Sequence, residues 1–347
     1  MMADRTLKIM AGLTAAVASI AALHFASAVL APLALALFVI AIVWPLYHRL
    51  ASWLPTALAL AISLLTLTAV CVAFASLAVW GFNRVGRSLM ANAGHYQALY
   101  AQAIAWLDGH GISLAGVWAD HFNVAWLVRV AQQATGRLNA TMTFWLIALV
   151  YVMLGLLEVG DMRRKILSLE DQKVARPLLD GCTASAAKFR KFMLVRTQMS
   201  ALTGLLVGLF AWLMGLPFPA EWGIIAFVLN YIPYIGPLIA TVFPTALAMT
   251  QFDTWQAVLG IFLCMNVIQM VIGSYVEPRI SGSALSISPF VVLFSVLFWT
   301  FLWGLFGTII GVPITVAILT FCEQYPSSRW LAVLLGGVPP AEASPGN

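Results

Sequence analysis

Apolar residues fill most of this chain in long continuous runs, separated by short polar stretches. Runs of about 20 residues match the roughly 30 Å hydrocarbon core of a bilayer at 1.5 Å per helical residue. The first opens with "RTLKIMAGLTAAVASIAALHFASA", and others follow at about 29–47, 54–80, 138–157, 197–216 and 255–276. A membrane β-barrel would instead show alternating segments of about 10 residues. The pattern predicts an all-α polytopic membrane protein with about eight membrane segments. Two of these fall in anomalous stretches, 221–250 and 288–322.

As unbroken helices these two stretches would measure roughly 45 and 50 Å, too long for a single crossing. Each is interrupted near its middle, by "YIPYIGP" and by "FLWGLFG", and carries a further proline beyond the break, Pro244 and Pro313. Two re-entrant helical hairpins are the favoured reading; a tilted, kinked single span is the alternative, because tilt absorbs several residues. In the first break Pro233 and Pro237 each remove a backbone donor, and Gly236 permits a turn. Gly304, Gly307 and Pro313 do the same work in the second. Backbone without a helical partner survives at membrane depth only when buried in protein or lining a wet cavity. The freed carbonyls and amides can then bind a solute, as in the discontinuous helices of secondary transporters. Asn230, Tyr231 and Tyr234 add hydrogen-bonding side chains at the same place, giving candidate substrate-binding residues. A proline kink satisfied by neighbouring helices is the structural alternative.

Composition agrees: 62% of the 347 residues are hydrophobic and 9% charged, against about 25% charged in ordinary soluble domains. The net charge of +5 is unevenly spread, with nine of the 18 Lys and Arg residues between Met162 and Arg196. That places 158–196 as a basic amphipathic region on a cytoplasmic membrane face. The mixed stretch 81–137, with Leu89, Tyr96, Leu99, Ala103 and Trp106 at helical spacing, reads as an extramembrane, periplasmic helical insert. It separates membrane helices 1–3 (1–80) from helix 4 (138–157). A C-terminal transport bundle (197–322) and a tail (323–347) complete the organisation, with both termini cytoplasmic. The first run also mimics a secretory signal; the second follows so closely that a helical hairpin that stays attached is the simpler reading.

Asn266, Gln269, Gly273 and Glu277 follow at spacings of three, four and four, which puts them on one helical face. Asn266 and Gln269 join the substrate-binding candidates, with bonding to neighbouring helices as the structural alternative. Glu277 is the candidate coupling carboxylate, or one half of an ion pair with Arg279, the nearest arginine. Asp253 is expected as an interfacial cap, and Glu221 at a helix start where its charge suits the dipole. His95, His110 and His121 lack metal-ligand spacing, and Cys71, Cys182, Cys264 and Cys322 suggest neither a metal site nor a disulfide framework. The sequence has no GxSxG, HExxH or phosphate-binding glycine loop with a lysine. It therefore suggests a transporter without catalytic residues, metal or cofactor.

"NYIPYIGPLIATVFP", followed some 30 residues later by "VEPRISGSALSISPFVVLFSVLFWTFLWGLFGTIIGVPITV", resembles the AI-2E family of transporters, also called the autoinducer-2 exporter or PerM-like permease family. Pro233, Gly236, Pro237, Glu277, Pro278, Arg279, Gly282, Pro289, Gly304, Gly307 and Pro313 occupy their motif places, while "SGSALSIS" departs from the usual glycine and basic pattern. The resemblance implies a bacterial inner-membrane oligomer that exports the quorum-sensing signal autoinducer-2 or exchanges sodium for protons. Three functions stay open. The first is export of a small polar organic solute through a cavity lined by the broken helices. The second is cation/proton antiport through Glu277, and the third is a membrane scaffold whose insert binds a partner.

Overall fold

The computed structural model describes residues 2–91, 94, 138–249, 251–252, 254–281 and 287–336. Asp253, His95, His110, His121 and most of "SGSALSIS", including Gly282, lie outside them. Among the described residues every regular element is helical, and one isolated antiparallel bridge joins Ile287 to Gly336. In chain order the helices are α1 (Met2–Phe25), α2 (Ser27–Ala51), α3 (Thr56–Ala91), α4 (Leu138–Leu167) and α5 (Gln172–Leu213). Then come α6 (Pro219–Leu229), α7 (Ile235–Ala248), α8 (Trp255–Val271), a π-turn (Ile272–Val276), α9 (Glu277–Ser281), α10 (Pro289–Gln324) and α11 (Arg329–Leu335).

Among the described residues six helical stretches are long and apolar enough to cross a membrane: α2, Thr56–Ser88, Thr143–Leu167, α5, Trp255–Ile280 and α10. The apolar part of α1 (Met10–Phe25), α6 and α7 are shorter. The basic block 158–196 forms no separate surface helix: it continues the ends of α4 and α5, joined by 168–171. No proline stands where the apolar runs meet the charged block, and α4 runs on through Gly155 and Gly160, so the backbone ladder is unbroken there.

The chain divides into two compact units. One comprises Ala69–Thr143 and Arg196–Pro278. Its core brings Val207 and Ala211 of α5 against Trp222, Ile225, Ala226 and Leu229 of α6, Ala240 and Leu247 of α7, and Ile261 and Met265 of α8. Here α5 and α6 approach backbone to backbone. A β-carbon on Gly204 would stand 2.6 Å from the Gly223 carbonyl oxygen, and one on Gly223 would stand 2.7 Å from that of Gly204. The run "GLLVG" at 204–208 is thus a small-residue helix contact of the GxxxG kind.

The segment 219–248 forms a helical hairpin. Its arms, α6 and α7, have 11 and 14 residues, about 16 and 21 Å, so neither alone matches a bilayer core. They are packed together and joined by a turn in which Tyr234 takes a positive φ of 62°. Gly236 permits the closure: a β-carbon there would meet the Leu229 carbonyl oxygen at 1.9 Å. Gln251 Nε2 donates to the Gly215 carbonyl at 2.8 Å, which ties the chain after the hairpin to the chain before it.

The other unit comprises Met1–Thr68, Phe144–Val195 and Arg279–Asn347. Ala36, Val43 and Tyr47 of α2, Ala59 of α3, and Val152 and Leu156 of α4 form one cluster. Helix α10 is folded back on itself at Gly304, whose φ of 61° and ψ of −141° lie outside any helix. That conformation is essentially glycine's alone. Its arms run antiparallel. A β-carbon on Gly307 would stand 1.8 Å from the Trp299 carbonyl oxygen, one on Gly311 would stand 3.1 Å from that of Ser295, and Trp299 Nε1 donates to Thr315 at 3.2 Å. In a straight helix residues 16 apart would be about 24 Å apart. The turn is tied to the end of α1, where Trp303 Nε1 donates to the Leu23 carbonyl at 3.1 Å and His24 Nδ1 to that of Leu302 at 3.1 Å.

Candidate functional site

Two polar residues of the first hairpin, Asn230 and Tyr231, meet the start of the apolar half of α5 at the hairpin's tip. Asn230 caps α6 and is buried, and its amide nitrogen donates to Ser200 Oγ at 3.2 Å. Tyr231 donates its hydroxyl to Thr197 Oγ1 at 2.9 Å, with its ring edge-on to Phe74 and Phe227. Adjacent to Thr197, Arg196 donates from Nη1 to both carboxylate oxygens of Glu277, at 3.0 and 3.2 Å. The Arg196 side chain is 9% exposed and that of Glu277 26%. An ion pair this enclosed faces a desolvation cost that only close geometry offsets.

Glu277 therefore pairs with Arg196, and the expected pairing with Arg279 is corrected. Glu277 begins α9, where residues two apart project in different directions, and Arg279 is exposed. The π-turn directly before Glu277 adds a residue to that turn, so the regular spacing from Asn266 and Gln269 does not carry through to Glu277. Asn266 spends its amide inside its own helix, donating to the Phe262 carbonyl at 2.8 Å. Gln269 Nε2 is buried without an acceptor among the described residues.

Tyr234 stands apart from the cluster, 50% exposed. Its positive φ is a strained choice for an aromatic residue, worth about 1–3 kcal/mol. Tyr234→Gly should accordingly raise stability by about 1 kcal/mol; thermal unfolding checks this, and an unchanged or lower midpoint counts against strain at this turn. Pro233 is half-buried in the turn, Gly236 and Pro237 lie in the first turn of α7, and Gly304, Gly307 and Pro313 belong to the α10 hairpin in the other unit. At the open end of the first hairpin, Glu221 sits in the first turn of α6 as expected. It is also 5% exposed and paired with Arg84 at 3.0 Å. The Arg84 guanidinium lies 5.9 Å from the Trp80 ring centroid and 5.8 Å from that of Phe218.

Sequence reasoning missed Arg196, Thr197 and Ser200. The available signal was the junction itself, where the last basic residue of the charged block precedes polar residues inside an apolar run. A groove of about 440 Å³ in the same unit has a mainly apolar lining that includes Phe210, Leu213, Phe252, Ile261 and Cys264, and none of the candidate site residues lines it. Among the described residues no three His, Cys, Asp or Glu side chains gather as a metal site. Tyr231→Phe should cost about 0.6–2 kcal/mol through the lost Thr197 hydrogen bond; no change in thermal midpoint would mean that bond contributes nothing.

Residues 13–327 match the family described as AI-2E family transporter. The chain is 29% identical over 338 residues to the AI-2 transport protein TqsA of Escherichia coli K12, covering 95% of each chain. It is 36% identical over 148 residues to a protein of Borreliella burgdorferi, covering 42% of this chain and 41% of that one. With the YhhT protein of Escherichia coli K12 it shares 36% identity over 157 residues, 45% and 44% of the two chains. The chain thus spans about two fifths of the length of these last two relatives.

Proposed function

Because the chain belongs to the AI-2E transporter family, we propose that it is a secondary permease exporting a small polar organic solute, with autoinducer-2 as the leading candidate. It sits in a bacterial inner membrane as a homo-oligomer, with both termini cytoplasmic and the 81–137 insert periplasmic. The solute passes through a cavity that opens where the broken helices turn, and the hairpins act as gates. The observation that carries this reading is the tip of the first hairpin. It presses Asn230 and Tyr231 against Ser200 and Thr197, beside the Arg196–Glu277 pair. Polar and ionisable groups at membrane depth are expensive and are retained for function. The name of TqsA, a relative over nearly the whole chain, supports autoinducer-2 as the first solute to try.

The test is flux of autoinducer-2 in proteoliposomes, with internal pH followed by a dye, for the wild type, Asn230→Leu and Glu277→Gln. Solute flux in the wild type that falls at least about tenfold in Asn230→Leu supports the reading; absence of flux from a folded, oriented sample removes it. A second reading, cation/proton antiport, is favoured by the π-turn beside Glu277, because such turns recur at functional sites. It predicts a sodium-dependent pH change without solute flux, abolished in Glu277→Gln. A scaffold role would be revealed by deleting residues 85–133: a scaffold loses its function, whereas a transporter that still folds keeps flux.

A further inference from the structure

We propose that Arg196 holds a small-anion site: the solute presents a carboxylate to the Nε edge of its guanidinium, beside the hairpin tip. This rests on the permease part of that reading; because autoinducer-2 carries no carboxylate, it replaces that molecule with a small hydroxylated carboxylate as the solute class.

The argument begins with which donors lack acceptors. Both hydrogen bonds of the ion pair leave Arg196 from Nη1, while Nε is buried and has no acceptor among the described residues. Gln269 Nε2, on α8 of the same unit, is a second buried donor without an acceptor. A guanidinium carries five donors and no acceptor, and a buried charged donor left unmade is destabilising. What this unit lacks at both positions is an acceptor. A neutral polyol brings a donor with every hydroxyl oxygen, whereas a carboxylate brings acceptors only and engages a guanidinium edge with two parallel bonds.

Charge leads to the same ligand class. Arg196 is nine-tenths buried and Glu277 neutralises it. Any movement that parts the two must leave a negative charge on the guanidinium, because an uncompensated buried charge is strongly penalised. A solute carboxylate meets that requirement. Asn230, Ser200, Thr197 and Tyr231 supply neutral hydrogen-bonding groups around the same tip for the rest of a small hydroxylated molecule.

The experiment is thermal unfolding of the full-length protein in nanodiscs titrated with sodium lactate. Inorganic phosphate, glycerol and sodium chloride of equal ionic strength serve as comparisons. Lactate should raise the unfolding midpoint more than any of the three. Glu277→Gln, which removes the competing resident carboxylate while keeping an acceptor for Nη1, should respond at a lactate concentration at least about tenfold lower. Arg196→Lys, which keeps the charge and loses the planar fork, should lose the response. Equal stabilisation by glycerol or chloride, stabilisation by phosphate without lactate, or a lactate response weakened in Glu277→Gln would overturn the proposal. The Glu277→Gln arm decides the matter even if Arg196→Lys does not fold. Export of a neutral solute without any lactate response would sink this inference and leave the permease reading standing. A lactate response without flux of any solute would do the reverse.

Discussion

Alanine at Gly236 or at Gly307 is expected to prevent its hairpin from closing and to abolish transport. The new β-carbon would lie 1.9 Å from the Leu229 carbonyl oxygen in the first case and 1.8 Å from that of Trp299 in the second. Overpacking costs about 1–3 kcal/mol when side chains can move aside. Here the opposing atom is backbone at a tight reversal, so the loss should exceed that range. Alanine at Gly260, inside α8 where a β-carbon meets nothing within 4 Å, supplies the control. That variant should be as stable as the wild type or up to about 1 kcal/mol more stable, since alanine suits a helix interior better than glycine. Thermal unfolding and the monodisperse fraction after purification provide the measurement. Wild-type midpoints for Gly236→Ala and Gly307→Ala would mean that neither hairpin turns as closely as described.

The second large effect concerns the Arg196–Glu277 pair. Glu277→Ala leaves a nine-tenths-buried guanidinium without its counter-charge and should cost about 3–5 kcal/mol. Arg196→Met leaves behind a carboxylate that is 26% exposed and partly reachable by water, so its cost should be smaller. The double variant should be more stable than Glu277→Ala alone, because it strands neither charge. A double-mutant cycle on thermal unfolding measures the coupling. Equal single losses that simply add would show that the pair is not acting as a buried unit.

Much of this fold was legible because membrane burial is written residue by residue. The expected runs at 29–47, 54–80 and 255–276 correspond to α2, α3 and the Trp255–Ile280 stretch. Both interruptions were visible as glycine and proline where an apolar run outlasts a bilayer. The candidate site was legible only in part. Asn230 and Tyr231 announced themselves inside the break, but Ser200, Thr197 and Arg196 lie 30 or more residues away on another helix. The pairing of Glu277 was misread because proximity along the chain stood in for proximity in space. A residue 81 positions earlier on α5 is the true neighbour.

By itself, the sequence determined that this is an all-helical chain suited to a membrane, where two of its helices break, and which family it resembles. Each follows from local properties: hydropathy, the missing donors of proline, and the conformations open to glycine. Only the tertiary structure decided that the arms at 219–248 and in α10 pack as hairpins, that Gly204 and Gly223 let α5 and α6 touch, and that Arg196 faces Glu277. These depend on backbones approaching within van der Waals contact and on a buried charge finding its counter-charge. Both are relations between distant segments that no local pattern encodes.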